Sequence, residues 1–134
     1  MDNILFFGLV IFVLVDLVIV FFVLSKRRRG GFTGQERKRY MDYWKKIKSN
    51  PDLRHAIMDA DKLLDKLLQT KGYSGNLGEK LKKSGKVFGD LDGVWAAHKL
   101  RNRLAHELDS KLTDSEGRMA LRQFERAFSD LGLK

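Results

Sequence analysis

A chain of 134 residues with 26 Lys plus Arg against 17 Asp plus Glu and no Cys has room for one ordinary domain and a short appendage. That length excludes a doubly wound or barrel enzyme, and the missing Cys excludes a disulfide scaffold, thiolate metal ligands and a Cys nucleophile. With three His in the chain a multi-His metal site is hard to assemble, so no metal or cofactor is expected.

The apolar residues are unevenly spread. Ile4 to Leu24 is an almost unbroken apolar run. At about 1.5 Å per residue it spans roughly 30 Å as a helix, the thickness of a bilayer core. The run is long for a signal peptide, lacks a basic segment before it and has no small-residue cleavage site after it, so residues 1–25 read as an uncleaved single-pass anchor. Lys26, Arg27, Arg28 and Arg29 follow directly, which predicts an external N-terminus and a cytoplasmic C-terminal part at the cell membrane. The same cluster, extended to Arg39, also suits anionic lipid headgroups. Asp16 falls mid-span, where one helix can keep it protonated or turn it to a partner helix, but cannot build a transport pathway around it.

Residues 26–34 read as a basic, Gly-containing juxtamembrane linker, and residues 35–134 as an all-α, antiparallel four-helix bundle with no period-2 strand pattern. Thr33-Gly-Gln-Glu36 predicts a capping box for a helix to about Ser49, with Tyr40, Trp44 and Ile47 on one face. Asn50-Pro51-Asp52 predicts a second start, Asn50 capping and Pro51 in the first turn. That helix carries Leu53, Ile57, Ala60, Leu64 and Leu67 and ends near Gly72. A Gly-rich connection follows, with a short helix at Leu77 to Lys83. The next helix is expected from about Asp90 to Asp109. Thr113-Asp-Ser-Glu116 then opens a last helix bearing Leu121, Phe124, Ala127, Phe128 and Leu131.

The Asp90–Asp109 segment carries most of the functional signal. Its apolar face holds Leu91, Val94, Ala97, Leu104, Ala105 and Leu108, and Arg101 falls inside that face. Trp95, His98, Asn102 and His106 form an adjoining ridge. An Arg on a core-facing stripe requires a partner. It either pairs with a carboxylate on the second helix, Asp61 or Asp65, or meets a phosphate in a cleft between two copies. Trp95 reads as packing before base stacking, and His98 and His55 as flank residues before ligands. Trp95, His98, Lys99 and Arg103 are weaker candidates for contacting RNA or a protein partner, and Lys80, Lys82, Lys83 and Lys86 would extend a basic patch.

Arg101-Asn-Arg-Leu-Ala-His106 resembles the signature of HEPN domains: an Arg, a polar residue, and a His with four to six residues between Arg and His, here four. The phrases from Ala60 to Leu68 and from Val94 to Glu107 are similar to small single-pass bacterial membrane proteins with a HEPN-like domain. The resemblance covers about residues 35–134. It implies a homodimeric, metal-independent endoribonuclease. In that family role Arg101 binds the scissile phosphate, Asn102 orients it or the His, and His106 transfers protons to give a 2′,3′-cyclic phosphate. Many HEPN-like domains are instead non-catalytic binding modules. Here that would make the chain a membrane-tethered adaptor for a protein partner, with Arg101 and His106 structural. Bulk charge does not decide between them: residues 1–25 carry −2, 26–40 carry +6 and 41–134 only +5.

Overall fold

The computed structural model describes the backbone of residues 2–134 and the side chains of residues 3–23 and 30–134. Among the described residues it is all-α, with six α-helices: α1 (Asp2–Arg29), α2 (Gly34–Ser49), α3 (Leu53–Thr70), α4 (Leu77–Ser84), α5 (Leu91–His106) and α6 (Asp114–Asp130). A single 3-10 turn, Gly85–Val87, follows α4. The chain divides into two compact units, Met1–Gly30 and Gly31–Lys134.

In the first unit, Asn3–Val23 is long and apolar enough to cross a membrane and is nowhere buried. Its large side chains face outward on every side, Ile4, Phe12 and Phe22 among them. A helix apolar all round finds no use for that surface in water. The helix runs on through residues 26–29, so the connection to α2 is shorter than the expected linker and comprises only residues 30–33. The side chains of Lys26 to Arg29 lie outside the described ones.

The second unit is a helical bundle. Tyr40 of α2 meets Thr70 at the far end of α3 (Oη to Oγ1, 2.6 Å), so α2 and α3 are antiparallel. Arg54 near the start of α3 reaches the end of α5, while Asp61 further on meets His98 earlier in α5, so this pair is antiparallel too. Arg103 pairs with Glu116 at 3.2 Å, and Gly93 lies against Gln123, which turns α6 back along α5. α3 and α6 therefore run parallel through the middle, with Leu53 packed on Gly117 at one end. Ile57, Leu64, Leu67 and Leu68 of α3 and Phe124 and Phe128 of α6 are essentially inaccessible to solvent, each worth about 1.5–3 kcal/mol of burial. Trp44 of α2 packs edge-on against Phe128 at 5.0 Å.

Local start signals explain most boundaries. The Thr33–Glu36 and Thr113–Glu116 capping boxes form as expected, and Asn76–Glu79 makes a third. At α3 the cap moves by two residues. Asp52, not Asn50, accepts from the His55 backbone N–H, because Asn50 Oδ1 is already occupied by the Asp52 N–H. α3 closes at Gly72, whose φ of 90° is the left-handed geometry that a C′ position requires. α5 ends at His106, three residues short of the expectation. Ala105 is exposed and Leu108 fully so, off the apolar face to which the sequence assigned them. The chain leaves the helix at Glu107, whose backbone is extended. Past that point the 3.6-residue period no longer decides where a side chain goes.

Candidate functional site

The site lies where α5 crosses α3. Asp61 falls four residues after Ile57 and three before Leu64, so helical spacing carries it into the buried stripe of α3. A carboxylate only 4% exposed demands partners. His98 Nδ1 lies 2.8 Å from Asp61 Oδ1, and Arg101 Nε lies 3.2 Å from Oδ2. The Arg101 contact is an ion pair whose angle falls short of a hydrogen bond. Asn102 completes the arrangement: its amide nitrogen sits 3.3 Å from His98 Nε2, and its Oδ1 accepts from Arg101 Nη1 at 3.0 Å.

These four residues form a closed polar ring, Asp61–His98–Asn102–Arg101–Asp61. Its proton bookkeeping is consistent in one arrangement. His98 donates from Nδ1–H to the carboxylate and accepts at Nε2 from the Asn102 amide, which leaves Asn102 Oδ1 for the guanidinium. Turning the amide over would set NH₂ against the guanidinium, so each member fixes the orientation of the next.

The ring forms one wall of an open groove of about 600 Å³, bounded across from it by Gly75, Asn76, Leu77 and Gly78 at the start of α4. A quarter of the Arg101 side chain remains exposed there. Arg101 is thus held from behind by Asp61 and faces solvent in front. This arrangement can receive an anion at the guanidinium and the Asn102 edge.

Other sequence candidates are distributed around this site. Asp65 holds Lys80, not Arg101: Nζ lies 2.8 Å from Oδ1, and the Lys80 side chain is buried. Lys80 therefore does not belong to a surface basic patch, since the α3–α4 packing covers it. His98, expected on a flank, is 12% exposed and structural. Trp95 stands edge-on to His98 at 5.9 Å and lies against Gly78, a packing role. Lys99 is exposed, and Arg103 is tied to Glu116. Glu116 is held below the usual carboxylate range by the Thr113 backbone N–H and by Arg103.

His106 is the last residue of α5 and is exposed. Among the described residues it makes no hydrogen bond or ion pair within the chain, with Arg101 or otherwise. Its position is set by a residue the sequence did not single out. Arg54 of α3 donates Nη1 to the Leu104 carbonyl at 2.7 Å and Nη2 to the Ser110 carbonyl at 2.6 Å. These bonds satisfy one orphan carbonyl of the α5 terminus and pin the loop after it. Arg54 was legible in principle: it is a charge three residues before Ile57, on the apolar stripe of α3. Among the described residues no group of His, Asp and Glu is arranged to hold a metal ion.

Comparison with protein-family models, with curated proteins and with solved structures gives no match to this chain.

Proposed function

We propose that this chain is a membrane-anchored, HEPN-like helical domain that pairs with a second copy and cleaves RNA without a metal. The reading is carried by one observation: Arg101 is braced by a buried carboxylate yet opens onto a groove beside Asn102. In this reading Arg101 and Asn102 meet the scissile phosphate and offset its developing charge. His106, free at the end of α5, takes the proton of the ribose 2′-OH as that oxygen attacks phosphorus, and the P–O5′ bond breaks as the leaving 5′-oxygen gains a proton. The second copy brings its own motif to the shared cleft. The apolar α1 inserts in the cell membrane, and Lys26 to Arg29 keep the helical domain on the cytoplasmic side. Confinement to a surface raises the effective concentration for pairing.

A second reading is favoured by the Asp61 contact itself. In that reading the guanidinium, paired inside a closed ring, locks α3 to α5, and the domain is a non-catalytic adaptor for a protein partner. Incubation of the full-length chain in detergent micelles with mixed RNA substrates, with and without a chelator, separates the two. Chelator-insensitive cleavage leaving 2′,3′-cyclic phosphate ends is expected. A folded, dimeric chain that leaves all substrates intact overturns the ribonuclease reading in favour of the adaptor.

A further inference from the structure

A second groove, of about 690 Å³, lies between α2 and α3 on different residues from the Arg101 site, Lys62 apart. Arg39 and Lys46 reach it from α2, and Lys62 and Lys66 from α3. Asp59, already bonded to Lys62 at 3.3 Å, is the one carboxylate among the described residues that line it. Folding accounts for little of this charge. Arg39 lies over the Tyr40 ring and Lys66 reaches Gln69, both neutral partners. Four cations around one concavity repel each other, an arrangement that an anion relieves.

The floor of the groove has a different character. Ile47 and Leu63 are buried hydrophobic residues beneath it. Tyr43 leaves 55% of its surface exposed among the cations. An apolar floor, a half-exposed Tyr and Lys stems ending in charge form the pattern of a surface that works at a lipid–water boundary. A free anion would use the charges and leave the floor idle. Chain connectivity points the same way. Only residues 30–33 separate the end of α1 from α2, a tether of at most about 18 Å.

We propose that the α2–α3 groove binds the headgroup of an anionic phospholipid in the membrane that holds α1. The cations receive the phosphate and its neighbouring charge, and Tyr43 with the Ile47–Leu63 floor takes the glycerol and first methylenes. The inference rests on the anchor part of the proposed function and is independent of RNA cleavage.

The test uses the full-length chain in nanodiscs. Because the chain has no Cys, Ser49→Cys at the end of α2 gives a unique dye site. Quenching by a headgroup-labelled quencher lipid is read in zwitterionic discs and in discs with increasing phosphatidylserine. Co-migration of chain and disc reports anchoring separately, so loss of the anchor and loss of the headgroup site are distinguishable. Quenching should rise with phosphatidylserine. Lys46→Gln/Lys66→Gln should raise the anionic fraction needed for half the effect by roughly fivefold or more. Lys38→Gln/Lys45→Gln removes equal charge from α2 outside the groove and should have little effect. Equal quenching in both kinds of disc overturns the proposal. So does an equal loss in the two variant pairs, which would mean diffuse attraction. Release of the dye signal by inorganic phosphate or by a single-stranded RNA at constant ionic strength overturns it in favour of those ligands.

Discussion

His98 Nδ1 on α5 and Asp61 Oδ1 on α3 lie 2.8 Å apart, with both side chains almost entirely withdrawn from water. This contact, with Arg101 on the other carboxylate oxygen, ties the two helices together at the depth of the core. Asp61→Ala would leave a guanidinium and an imidazole facing an empty place. The expected loss is about 2–3 kcal/mol, under the full cost of breaking a buried pair because Arg101 retains some solvent. Both Trp residues lie in the helical domain, so urea unfolding followed by Trp fluorescence reports on it alone. Asp61→Ala and His98→Ala should combine with a clear departure from additivity. Additive losses would mean that the ring is not one unit.

Lys80 and Asp65 make an asymmetric pair, since the Lys80 side chain is 5% exposed and the Asp65 side chain 40%. Removing Asp65 strands a buried cation, and Asp65→Ala should cost about 2–3 kcal/mol. Lys80→Met keeps the buried volume and leaves a carboxylate that water can reach, so it should be near neutral. The urea midpoints of the two variants check the order, and equal losses would contradict it.

Arg54 anchors the end of α5 through two backbone carbonyls. Arg54→Ala should speed amide exchange from Ala105 to Leu112 about tenfold or more, the equivalent of one lost charged hydrogen bond, while Leu64 and Phe124 stay protected. Uniform loss of protection would show instead that Arg54 supports the whole fold.

Glu116 and Glu125 both lie below the ordinary carboxylate range. The Thr113 backbone N–H is the main cause for Glu116, and Lys48 for Glu125. A depressed native value stabilises the fold above the unfolded value of about 4 and ceases to do so as pH falls through the native one. Glu116→Gln and Glu125→Gln should therefore lower the urea midpoint near neutral pH and lose that effect in acid, once pH has fallen through the depressed native values. A difference that persists in acid would contradict the electrostatic origin.

The helices and their caps were legible because each rests on local chemistry: Thr33 with Glu36, Thr113 with Glu116, and Gly72 at a left-handed stop. Spacing also placed Arg101 on the apolar stripe and named Asp61 and Asp65 as its two carboxylate candidates. It could not choose between them, because that choice depends on how far α4 slides along α3 to bring Lys80 to Asp65. His98 was misplaced for a related reason. A residue on the shoulder of a helix is buried or exposed according to what packs there, and here α3 supplies a carboxylate. The end of α5 depends on Arg54, fifty residues away from Leu104, which no local pattern contains.

The central claim is tested most directly by RNA cleavage with two single-histidine variants of the full-length chain. His55 and His106 are both exposed, and neither supports the core. His106→Ala should keep the wild-type urea midpoint and lose cleavage by about a hundredfold or more, the usual worth of a proton-transfer group. His55→Ala should cleave as the wild type does. Cleavage by His106→Ala at the wild-type rate, or none by a folded and dimeric wild-type chain, would contradict the account.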